Sequence, residues 1–323
     1  MRIILTGGAG FIGSCVLRKL NDNGIYDVFV VDNILDTDKW MNLRNKKYSE
    51  YVNKKQFLDR LNDGVYGKVD TIIHMGACSS TIEKDFDYLW RNNVEYTKVL
   101  WDYCADNDAQ FIYASSAATY GDGSQGFDDG CNIDVLRPLN GYGYSKQFFD
   151  QWTLKQKKKP KQHVGLKFFN VYGPNEYCKG NMASMVYHGY KQIVADGEIR
   201  LFRSYNKDYP DGGQLRDFVY VKDVCDVIMF FLNNPQYSGL FNVGTGREQS
   251  FNELAEAIFE AMGMEPNIKY IDMPEQLIDK YQYYTRAKID SLRVIGCDVH
   301  FMDVRHGVSD YVKGHLTRGF EVF

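Results

Sequence analysis

A glycine-rich turn near the start of the chain constrains its fold more than any other feature. Residues 3–13 read IILTGGAGFIG, so the glycines directly follow a short apolar run and lead directly into a helical stretch. Gly7 allows a tight turn, Gly10 lets backbone N–H groups approach a ligand, and Gly13 lets the helix pack close to the strand. The pattern predicts a strand, turn and helix that bind the diphosphate of a dinucleotide at the helix N-terminus.

An acidic residue follows at the spacing that such a unit requires. Asp32 ends the next predicted strand, where a carboxylate binds the adenosine ribose of a dinucleotide. Asp32 alone favours the free 2′-hydroxyl of NAD, whereas Lys39 and Lys54 are near enough in sequence to offset the 2′-phosphate of NADP. Both lysines are also compatible with simple surface exposure. We predict NADP as the cofactor, with NAD as the open alternative.

The first half of the chain alternates short β-branched runs with amphipathic stretches. The predicted strands are residues 2–6, 27–32, 71–74, 110–114 and 164–170, and the predicted helices include 13–23 and 94–106. This alternation is typical of βαβ units and predicts an α/β fold with a Rossmann-type, doubly wound parallel sheet. We expect the segment 218–234 to join the same sheet layer.

The alternation stops in two later segments, where turn residues become more frequent. We therefore expect two domains. Residues 1–170 and 214–246 would form the dinucleotide-binding domain. Residues 171–213 and 247–323 would form a smaller, discontinuous α/β domain that binds the substrate.

Composition excludes several classes of protein. The 38 basic and 42 acidic residues give a net charge of −4, which supplies no general attraction to nucleic acid or to an anionic membrane. The longest apolar stretch, 227–232, is far shorter than the roughly 18 residues of a membrane span. The seven cysteines and six histidines lack C-x-x-C and H-x-x-x-H spacings, so we expect reduced thiols and no metal site. A strand that starts at position 3 leaves no room for a secretory signal, and a cytoplasmic location is expected.

A tyrosine and a lysine four residues apart lie on one face of a helix. The spacing alone does not select a site, because four pairs satisfy it: Tyr51/Lys55, Tyr142/Lys146, Tyr187/Lys191 and Tyr284/Lys288. Only Tyr142/Lys146 follows the strand FIYASS, whose carboxyl end faces the cofactor crevice of a doubly wound sheet. Ser116 is the last residue of that strand.

These three residues suit hydride transfer. A hydride leaves a carbinol carbon only as the hydroxyl proton is removed, and a tyrosine with an ordinary pKa of about 10 is a poor base at neutral pH. We expect Lys146 and an oxidised nicotinamide to lower the pKa of Tyr142, and Lys146 to hold the nicotinamide ribose as well. The Ser116 hydroxyl would bind the substrate oxygen; the alternative is a strand-end hydroxyl bonded to backbone.

Motifs along nearly the whole chain resemble those of known enzymes. TGGAGFIG (6–13), VVDN (30–33), GACSST (76–81), YASSAATYG (113–121) and YGYSK (142–146) are similar to motifs of the extended short-chain dehydrogenases. FFNVYGP (168–174), KGNMAS (179–184), RDFVYVKDV (216–224) and FNVGTGR (241–247) resemble those of the ADP-glyceromanno-heptose 6-epimerases. The resemblance implies a sugar-nucleotide epimerase that oxidises C6 of an ADP-heptose and returns the hydride, in lipopolysaccharide core biosynthesis. It also implies a homo-oligomer, often a pentamer.

The resemblance further implies roles for particular residues. Ser116, Tyr142 and Lys146 would be the catalytic trio, and Lys179 a second acid/base on the opposite face of the sugar. The cofactor would be bound by Gly7, Gly10, Phe11, Ile12, Gly13, Asp32, Asn33, Lys39, Lys54, Met75, Gly76, Ala77, Cys78, Ser79, Asn92, Lys146, Val171 and Lys179. The sugar nucleotide would be bound by Ser116, Asn170, Asn181, His188, Phe202, Arg203, Ser204, Tyr205, Arg216 and Tyr281.

Other functions remain open from the sequence. A sugar-nucleotide dehydratase needs an additional acid to expel water, whereas Ala117 and Ala118 follow Ser116 here. A UDP-sugar 4-epimerase differs only in pocket residues such as Lys179. A nucleotide-sensing binding protein would not need Ser116 together with the Tyr-Lys pair.

Two residue roles and one loop also leave alternatives. Lys179 could simply bind phosphate, and Arg216 could form a surface ion pair with Asp217 instead of binding a diphosphate. The loop 205–215, YNKDYPDGGQL, is several residues longer than usual in the family that the chain resembles. Because loops often determine ligand specificity, its length leaves the identity of the sugar open.

Overall fold

The computed structural model describes residues 1–278 and 281–323. Strands in these ranges are β1 Ile3–Thr6, β2 Val28–Asp32, β3 Glu50–Asn53, β4 Thr71–His74, β5 Gln110–Ser116, β6 Gln162–Phe168, β7 Asn170–Tyr172, β8 Ile199–Phe202, β9 Leu215–Arg216, β10 Phe218–Tyr220, β11 Gly239–Val243, β12 Gln249–Ser250 and β13 Ile268–Ile271. Helices are α1 Phe11–Asp22, α2 Lys54–Asn62, α3 Phe86–Trp90, α4 Tyr96–Asp106, α5 Gly141–Lys155, α6 Met185–Asp196, α7 Val221–Asn233, α8 Phe251–Met262, α9 Glu275–Ile278, α10 Asp290–Val294 and α11 Val304–Gly314.

A seven-stranded parallel sheet forms the centre of the molecule. Its strand order is β11-β6-β5-β4-β1-β2-β3, so the chain first builds outward from β1 on one side and then from β4 on the other. This is the doubly wound Rossmann topology, and the predicted fold class is confirmed. Ligands of such sheets bind at the carboxyl ends of the strands where the order reverses, which here lies between β1 and β4.

Apolar side chains cover both faces of this sheet. Along β1, Ile3 and Leu5 face a cluster that includes α1 and α7, while Ile4 faces a second cluster that includes α2, α4 and α5. Alternate side chains of a strand point to opposite faces, so an uninterrupted apolar strand must be covered twice. Each fully buried Leu, Ile or Val contributes about 1.5–3 kcal/mol. The sheet is therefore a rigid base for the loops at its carboxyl edge.

Two expectations about later strands were wrong. Within the segment 218–234, only β10 is a strand, and it pairs with β7 outside the main sheet. The remainder forms α7, whose apolar residues recur at helical spacing and lie buried. Two strands of the seven-stranded sheet, β3 and β11, were not predicted. The predicted strand 164–170 ends at Phe168, and Asn170 already belongs to β7.

The two segments expected to form the substrate domain contact each other directly. β8 from the first segment pairs in parallel with β13 from the second, and α6 packs against α8. A capping box of Ser250 and Glu253 starts α8, and Gly263 ends it in the left-handed conformation. The boundaries of the two domains stay a prediction.

Three further observations concern the predicted absences. No helix within residues 1–278 and 281–323 is long and apolar enough to cross a bilayer. The seven cysteines are free thiols. Over the same ranges, no three His, Cys, Asp or Glu side chains cluster as metal ligands would.

Candidate active site

A cleft of about 600 Å³ opens at the carboxyl edge of the sheet, beside the glycine-rich turn. Gly7 has a φ of +67°, and a Cβ there would lie 2.5 Å from the backbone nitrogen of Gly76. A Cβ on Gly13 would lie 2.2 Å from the carbonyl oxygen of Gly7. Both contacts are far too short for a side chain, so only glycine fits and the floor of the cleft is bare backbone.

The first turn of α1 faces this floor. Gly10 is the N-cap residue, and no side chain of the described residues caps the helix. The N–H groups of Phe11 and Ile12 precede the first intrahelical bonds, so they are available to an anion, which the helix dipole also attracts. The turn therefore fits the diphosphate of a dinucleotide.

Asp32 lies at the end of β2 with both carboxylate oxygens bonded. One oxygen accepts from the N–H of Ala9 at 2.9 Å, and the other from the ammonium of Lys39 at 2.7 Å. Lys39 also donates to the carbonyl of Asn33 at 2.8 Å. Lys39 thus balances the charge of Asp32 at the position expected for the adenosine ribose.

Buried polar groups in the same region are left without partners. The side-chain oxygen of Asn33 and the hydroxyl of Tyr96 are buried and make no hydrogen bond to the described residues. Lys54 donates to Asn92 and lies 4.7 Å from the Tyr96 ring centroid, and burial lowers the pKa of Lys54. Buried polar atoms normally find partners, so these atoms favour a polar ligand and the cleft fits a bound dinucleotide.

Tyr142, Lys146 and Ser116 all line the cleft. The amide oxygen of Asn140 caps α5 by accepting from Gly143 at 2.8 Å. A Cβ on Gly143 would lie 2.7 Å from the carbonyl of Ala118, so glycine allows α5 to approach the end of β5 closely. This approach brings the tyrosine and lysine of α5 next to the serine that ends β5.

The electrostatics of the trio bear on the expected pKa of Tyr142. The ammonium of Lys146 donates to the carbonyl of Ala114 at 2.9 Å, and burial lowers the pKa of Lys146 to about 8. Burial raises the pKa of Tyr142, and the hydrogen bond with Ser116 offsets this only in part. Among the protein's own groups, desolvation of the phenol therefore outweighs any lowering of its pKa by Lys146.

The Ser116 hydroxyl makes the backbone hydrogen bond that was considered from the sequence, and its role toward a substrate stays a prediction. Its oxygen accepts from the N–H of Ala118 at 3.1 Å, which caps a short 3₁₀ turn, Ala117–Tyr120. It also interacts with the phenol of Tyr142. The backbone bond uses only an acceptor site of the hydroxyl, and its one proton is directed toward the phenol oxygen of Tyr142.

Lys179 lines the same cleft from the turn between β7 and α6. Its ammonium lies 5.2 Å from the ring centroid of Phe11, the first residue of α1. Burial lowers the pKa of Lys179, and the nearby Glu176 opposes that shift. Glu176 is fully buried and accepts from both the N–H and the hydroxyl of Ser184, at 2.6 and 2.7 Å, which fixes the turn. This placement serves either an acid/base or a phosphate ligand.

All residues predicted to bind the cofactor line this cleft. Sequence reasoning missed several that line it too, namely Thr37, Asn42, Tyr88, Tyr96, Asn175 and Cys178. It also missed Asn93, which lies in a π-helical turn, Arg91–Glu95, and bonds both backbone groups of Cys78 and the hydroxyl of Ser145. A π turn has no sequence pattern that would have revealed it, although such turns are frequent at functional sites.

Arg216, Phe202 and Tyr281 come together in a second group. The guanidinium carbon of Arg216 lies 5.2 Å from the ring centroid of Tyr281 and 5.7 Å from that of Phe251. The rings of Phe202 and Tyr281 are 6.5 Å apart. Arg216 is buried, its pKa is lowered by that burial, and within the described ranges it forms no ion pair. A buried guanidinium in this state favours an anionic ligand.

Asp217 does not pair with Arg216. Its carboxylate accepts from the backbone N–H groups of Thr245, Gly246 and Ala287 at 2.7–3.0 Å. Both residues are buried. The alternative of a surface ion pair is therefore wrong, because Asp217 organises the loop after β11 and Arg216 points elsewhere.

The other predicted substrate residues lie apart from the cofactor cleft. Tyr205 bonds Asp272 at 3.4 Å, and Arg203 is 3.6 Å from the same carboxylate. The N–H of Ser204 donates to Asp211 at 2.7 Å within the longer loop.

Asn170 is exposed, next to Val171 in β7. His188 faces the main-chain carbonyl of Asn181, which opposes the lowering of its pKa by burial. Among residues 1–278 and 281–323, only Ser116 of the predicted substrate set lines the cofactor cleft.

A hydroxyl, a phenol and an ammonium that line a cleft suited to a dinucleotide define a nicotinamide-dependent enzyme of the short-chain dehydrogenase type. Comparison with known protein families identifies the family of the chain. Residues 3–244 match the NAD dependent epimerase/dehydratase family, and the chain belongs to that family.

Individual relatives are similar over nearly their full length. The ADP-L-glycero-D-manno-heptose-6-epimerase of Nitratidesulfovibrio vulgaris strain DP4 is 52% identical over 97% of this chain and 98% of its own. The protein of the same name from Fusobacterium nucleatum is 48% identical, over 98% of each chain. The crystal structure of the Helicobacter pylori ADP-L-glycero-D-manno-heptose-6-epimerase superposes with a TM-score of 0.79 at 29% identity, covering 97% of this chain and 95% of that one.

Proposed function

We propose that this chain interconverts ADP-D-glycero-D-manno-heptose and ADP-L-glycero-D-manno-heptose. The C6 carbinol is oxidised to a ketone, and the hydride returns to the opposite face of that carbon. The observation that carries the proposal is that two proton carriers on separate segments, Tyr142 and Lys179, line one cofactor cleft. Relatives that are 52% and 48% identical are named as enzymes with this activity.

The cofactor in this proposal is NADP. A bound nicotinamide supplies the hydride acceptor for the oxidation and the hydride donor for the reduction. The glycine floor and the first turn of α1 would hold its diphosphate. Lys39, held by Asp32 at 2.7 Å, would face the 2′-phosphate, and an ammonium is a common phosphate partner.

Tyr142 takes the proton from the C6 hydroxyl in one direction and returns it in the other. Since burial raises the pKa of Tyr142, this step needs a cation nearby, and Lys146 provides one from the next turn of α5. With a pKa of about 8, Lys146 is still largely protonated at neutral pH. Ser116 donates to the same sugar oxygen and holds it in line.

Lys179 carries the proton for the other epimer. Inversion requires the intermediate ketone to turn over between oxidation and reduction, so each orientation presents its oxygen to a different group. Burial lowers the pKa of Lys179, which makes proton exchange by an ammonium easier near neutral pH. The buried Glu176 keeps the turn that carries Lys179 in place.

Arg216 binds the diphosphate of the sugar nucleotide. Its planar guanidinium can pair with two phosphate oxygens at once. The aromatic rings of Tyr281 and Phe251 already hold that guanidinium in a buried position. A diphosphate would provide the anionic partner that a buried arginine requires.

Two broader features belong to the same proposal. Residues 171–213 and 247–323 would form the domain that binds the sugar, and the chain would assemble into a homo-oligomer, as the family resemblance implies. Light scattering coupled to size exclusion measures the assembly directly. A monomer at micromolar concentration would contradict that part.

Substrate deuterated at C6 tests the reaction in ordinary water. Retention of the label at C6 in the inverted product supports direct oxidation and return, whereas washout to solvent would exclude it. Lys179→Met should stop interconversion of the two epimers, and an NADP affinity within a few-fold of the wild type would separate the acid/base role from that of a phosphate ligand. If that variant still epimerises at the normal rate, the two-carrier mechanism is wrong even with the deuterium retained.

A panel of ADP- and UDP-sugars tests the substrate class. Turnover of a UDP-hexose at C4 in preference to the ADP-heptoses would replace the proposed substrate with that of a 4-epimerase. Release of water from the sugar would identify a dehydratase. Failure to convert any sugar nucleotide, in protein that still binds the nicotinamide cofactor, would indicate a binding protein.

A further inference from the structure

A buried ion pair lies behind the catalytic trio, and the proposed chemistry does not use it. The ammonium of Lys167, on β6, is 3.1 Å from the carboxylate of Asp150, on α5. The side chains of Asp150 and Lys167 are 0% and 2% exposed. Asp150 follows Lys146 by four residues, so it lies on the same face of α5, one turn further from the cleft.

Asp150 joins α5 to the neighbouring strand β5. Its two carboxylate oxygens accept from the hydroxyl of Tyr113 at 3.0 Å and from that of Ser115 at 2.6 Å. Ser115 directly precedes the catalytic Ser116. The helix that carries Tyr142 and Lys146 is thus bonded to the strand that presents the serine.

Lys167 reaches Ser116 by a second route. It donates to the hydroxyl of Thr119 at 2.7 Å, and that hydroxyl donates to the carbonyl of Ser116 at 2.8 Å. The ring centroid of Tyr120 lies 5.0 Å from the same ammonium. One buried pair therefore fixes Ser116 from both sides, through Ser115 and through Thr119.

A buried ion pair of this kind is not explained by stability alone. Removing two charges from water costs about as much as their attraction returns, and apolar residues of similar size often serve equally well. Such a pair is better explained where it fixes the positions of neighbouring side chains or sets the electrostatic potential around them. Here the groups that it fixes are the three that would contact the substrate.

We propose that Asp150 and Lys167 are positioning residues for the catalytic trio, holding Ser116 against α5 and balancing the charge behind Tyr142 and Lys146. The role rests on the proposed function only in that the trio performs the proton transfer. Neither side chain touches the cleft, so both act through Ser116, Tyr142 and Lys146.

The charges around the trio allow the positioning role of Asp150 and Lys167 to be measured through the pKa of Tyr142. The carboxylate of Asp150 raises the pKa of Tyr142 and of Lys146, and Lys167 balances that carboxylate. Other titratable groups face these residues from adjoining elements. Cys78 and His74 lie near the trio: Cys78 faces Tyr142 and Lys146, and His74 faces Lys146. Around the ion pair, Asp129 and Cys131 face Lys167, while Tyr113 and Tyr120 face Asp150. These neighbouring groups are the same in the variants below. Because Asp150 and Lys167 carry opposite charges, replacing each of them should shift the pKa of Tyr142 in opposite directions.

The test compares Asp150→Asn with Lys167→Met in the NADP-bound enzyme labelled with ¹³Cζ-tyrosine. The Tyr142 resonance is assigned by its loss in Tyr142→Phe. Asp150→Asn removes a negative charge and should lower the Tyr142 pKa, whereas Lys167→Met leaves the carboxylate unbalanced and should raise it. We expect shifts of about half a pH unit or more in each direction, and a value near that of the wild type in the double variant.

This measurement needs no sugar, so it separates the inference from the proposed function. If the wild type fails to turn over ADP-heptoses, the substrate assignment fails while the pKa shifts still decide the role of the pair. Shifts in the same direction, or no shift in folded single variants, would overturn the inference. With an active wild type, the acid limb of the kcat profile should move with the Tyr142 pKa.

Thr119 gives a milder pair of variants that keeps the inference testable if the charged substitutions do not fold. Thr119→Val keeps the shape but removes both bonds of the hydroxyl, whereas Thr119→Ser keeps the hydroxyl. We expect kcat to fall about tenfold or more in the valine variant, since small displacements of catalytic groups are costly. The serine variant should stay near the wild type, with KM little changed in both. Equal kcat values for valine and serine variants would overturn the positioning role.

Discussion

Replacement of Lys39 by alanine should turn the cofactor preference away from NADP. In the structure the Lys39 ammonium bonds one oxygen of Asp32 at 2.7 Å and the carbonyl of Asn33 at 2.8 Å. Its side chain is 25% exposed. The alanine variant removes the cation that would meet a 2′-phosphate and leaves the Asp32 carboxylate to repel it.

The size of the effect follows from this partial exposure. Two unit charges 4 Å apart interact by about 4 kcal/mol at a typical protein surface and by about 1 kcal/mol in bulk water. A side chain that is one quarter exposed lies between these limits, so we expect a loss of about 2 kcal/mol, or about 30-fold in the NADP dissociation constant. NAD carries no phosphate at that position, and its affinity should change by less than about threefold on the same reasoning.

Calorimetric titration of both cofactors into the wild type and Lys39→Ala measures the difference. Lys313→Ala is a matched control, because it removes one exposed lysine from α11 and should alter neither affinity. Asp32→Asn should reduce NAD affinity more than NADP affinity, since the carboxylate serves the free ribose hydroxyls. Equal losses of both cofactors in Lys39→Ala, or a wild type that prefers NAD, would refute the reasoning.

Three further predictions concern catalysis, substrate binding and stability. Tyr142→Phe keeps the ring but cannot carry a proton, so kcat should fall about 10²- to 10⁴-fold with unchanged cofactor affinity; steady-state rates near those of the wild type would contradict this. Arg216→Met should lower kcat/KM for the sugar nucleotide about 10- to 100-fold, and Arg216→Lys should recover only part of it because the bidentate fork is lost; an unchanged kcat/KM would exclude the diphosphate contact. Burial raises the pKa of Asp223 from 3.8 to about 6, so its contribution to folding is present below pH 4 and is lost as pH rises through 6. Asp223→Asn should therefore raise the free energy of unfolding in urea by about 3 kcal/mol at pH 8 and leave it nearly unchanged at pH 4, and equal effects at the two pH values would contradict the sign.

Strands β1, β2, β4 and β5 could be predicted from the sequence because each contains a continuous apolar run, whereas β3, with the sequence EYVN, has no such run and was missed. β11 escaped prediction for local reasons. Gly239 begins it with a φ of +141°, and Asn242 interrupts its apolar pattern with a polar residue. In the folded chain that amide is fully buried and bonds Tyr120 and the carbonyl groups of Phe127 and Lys288. These partners are far away in sequence, so no local pattern could have shown that the asparagine belongs in a core strand.

The choice among the four Tyr-x-x-x-Lys pairs depended on position relative to a strand, and the structure separates them in the same way. Of the four pairs, only Tyr142/Lys146 lines the cleft that the described residues form. Lys288 instead bonds Asp128, and Lys191 lies 5.4 Å from the ring centroid of its own partner, Tyr187. By contrast, the pKa of Tyr142 could not be judged from spacing, since it depends on how deeply the phenol is buried.

The longer loop bears on a different part of the substrate from the reacting carbon. Its Tyr209 packs against Tyr283 with ring centroids 5.5 Å apart, and Tyr283 lies 5.2 Å from Tyr281, the ring that contacts Arg216. In the proposed function Arg216 holds the diphosphate, so the loop supports the nucleotide end. The groups that would meet C6, Tyr142 and Lys179, lie in the cofactor cleft instead. Changes in this loop should therefore alter the affinity for the nucleotide while the chemistry at the sugar carbon stays the same.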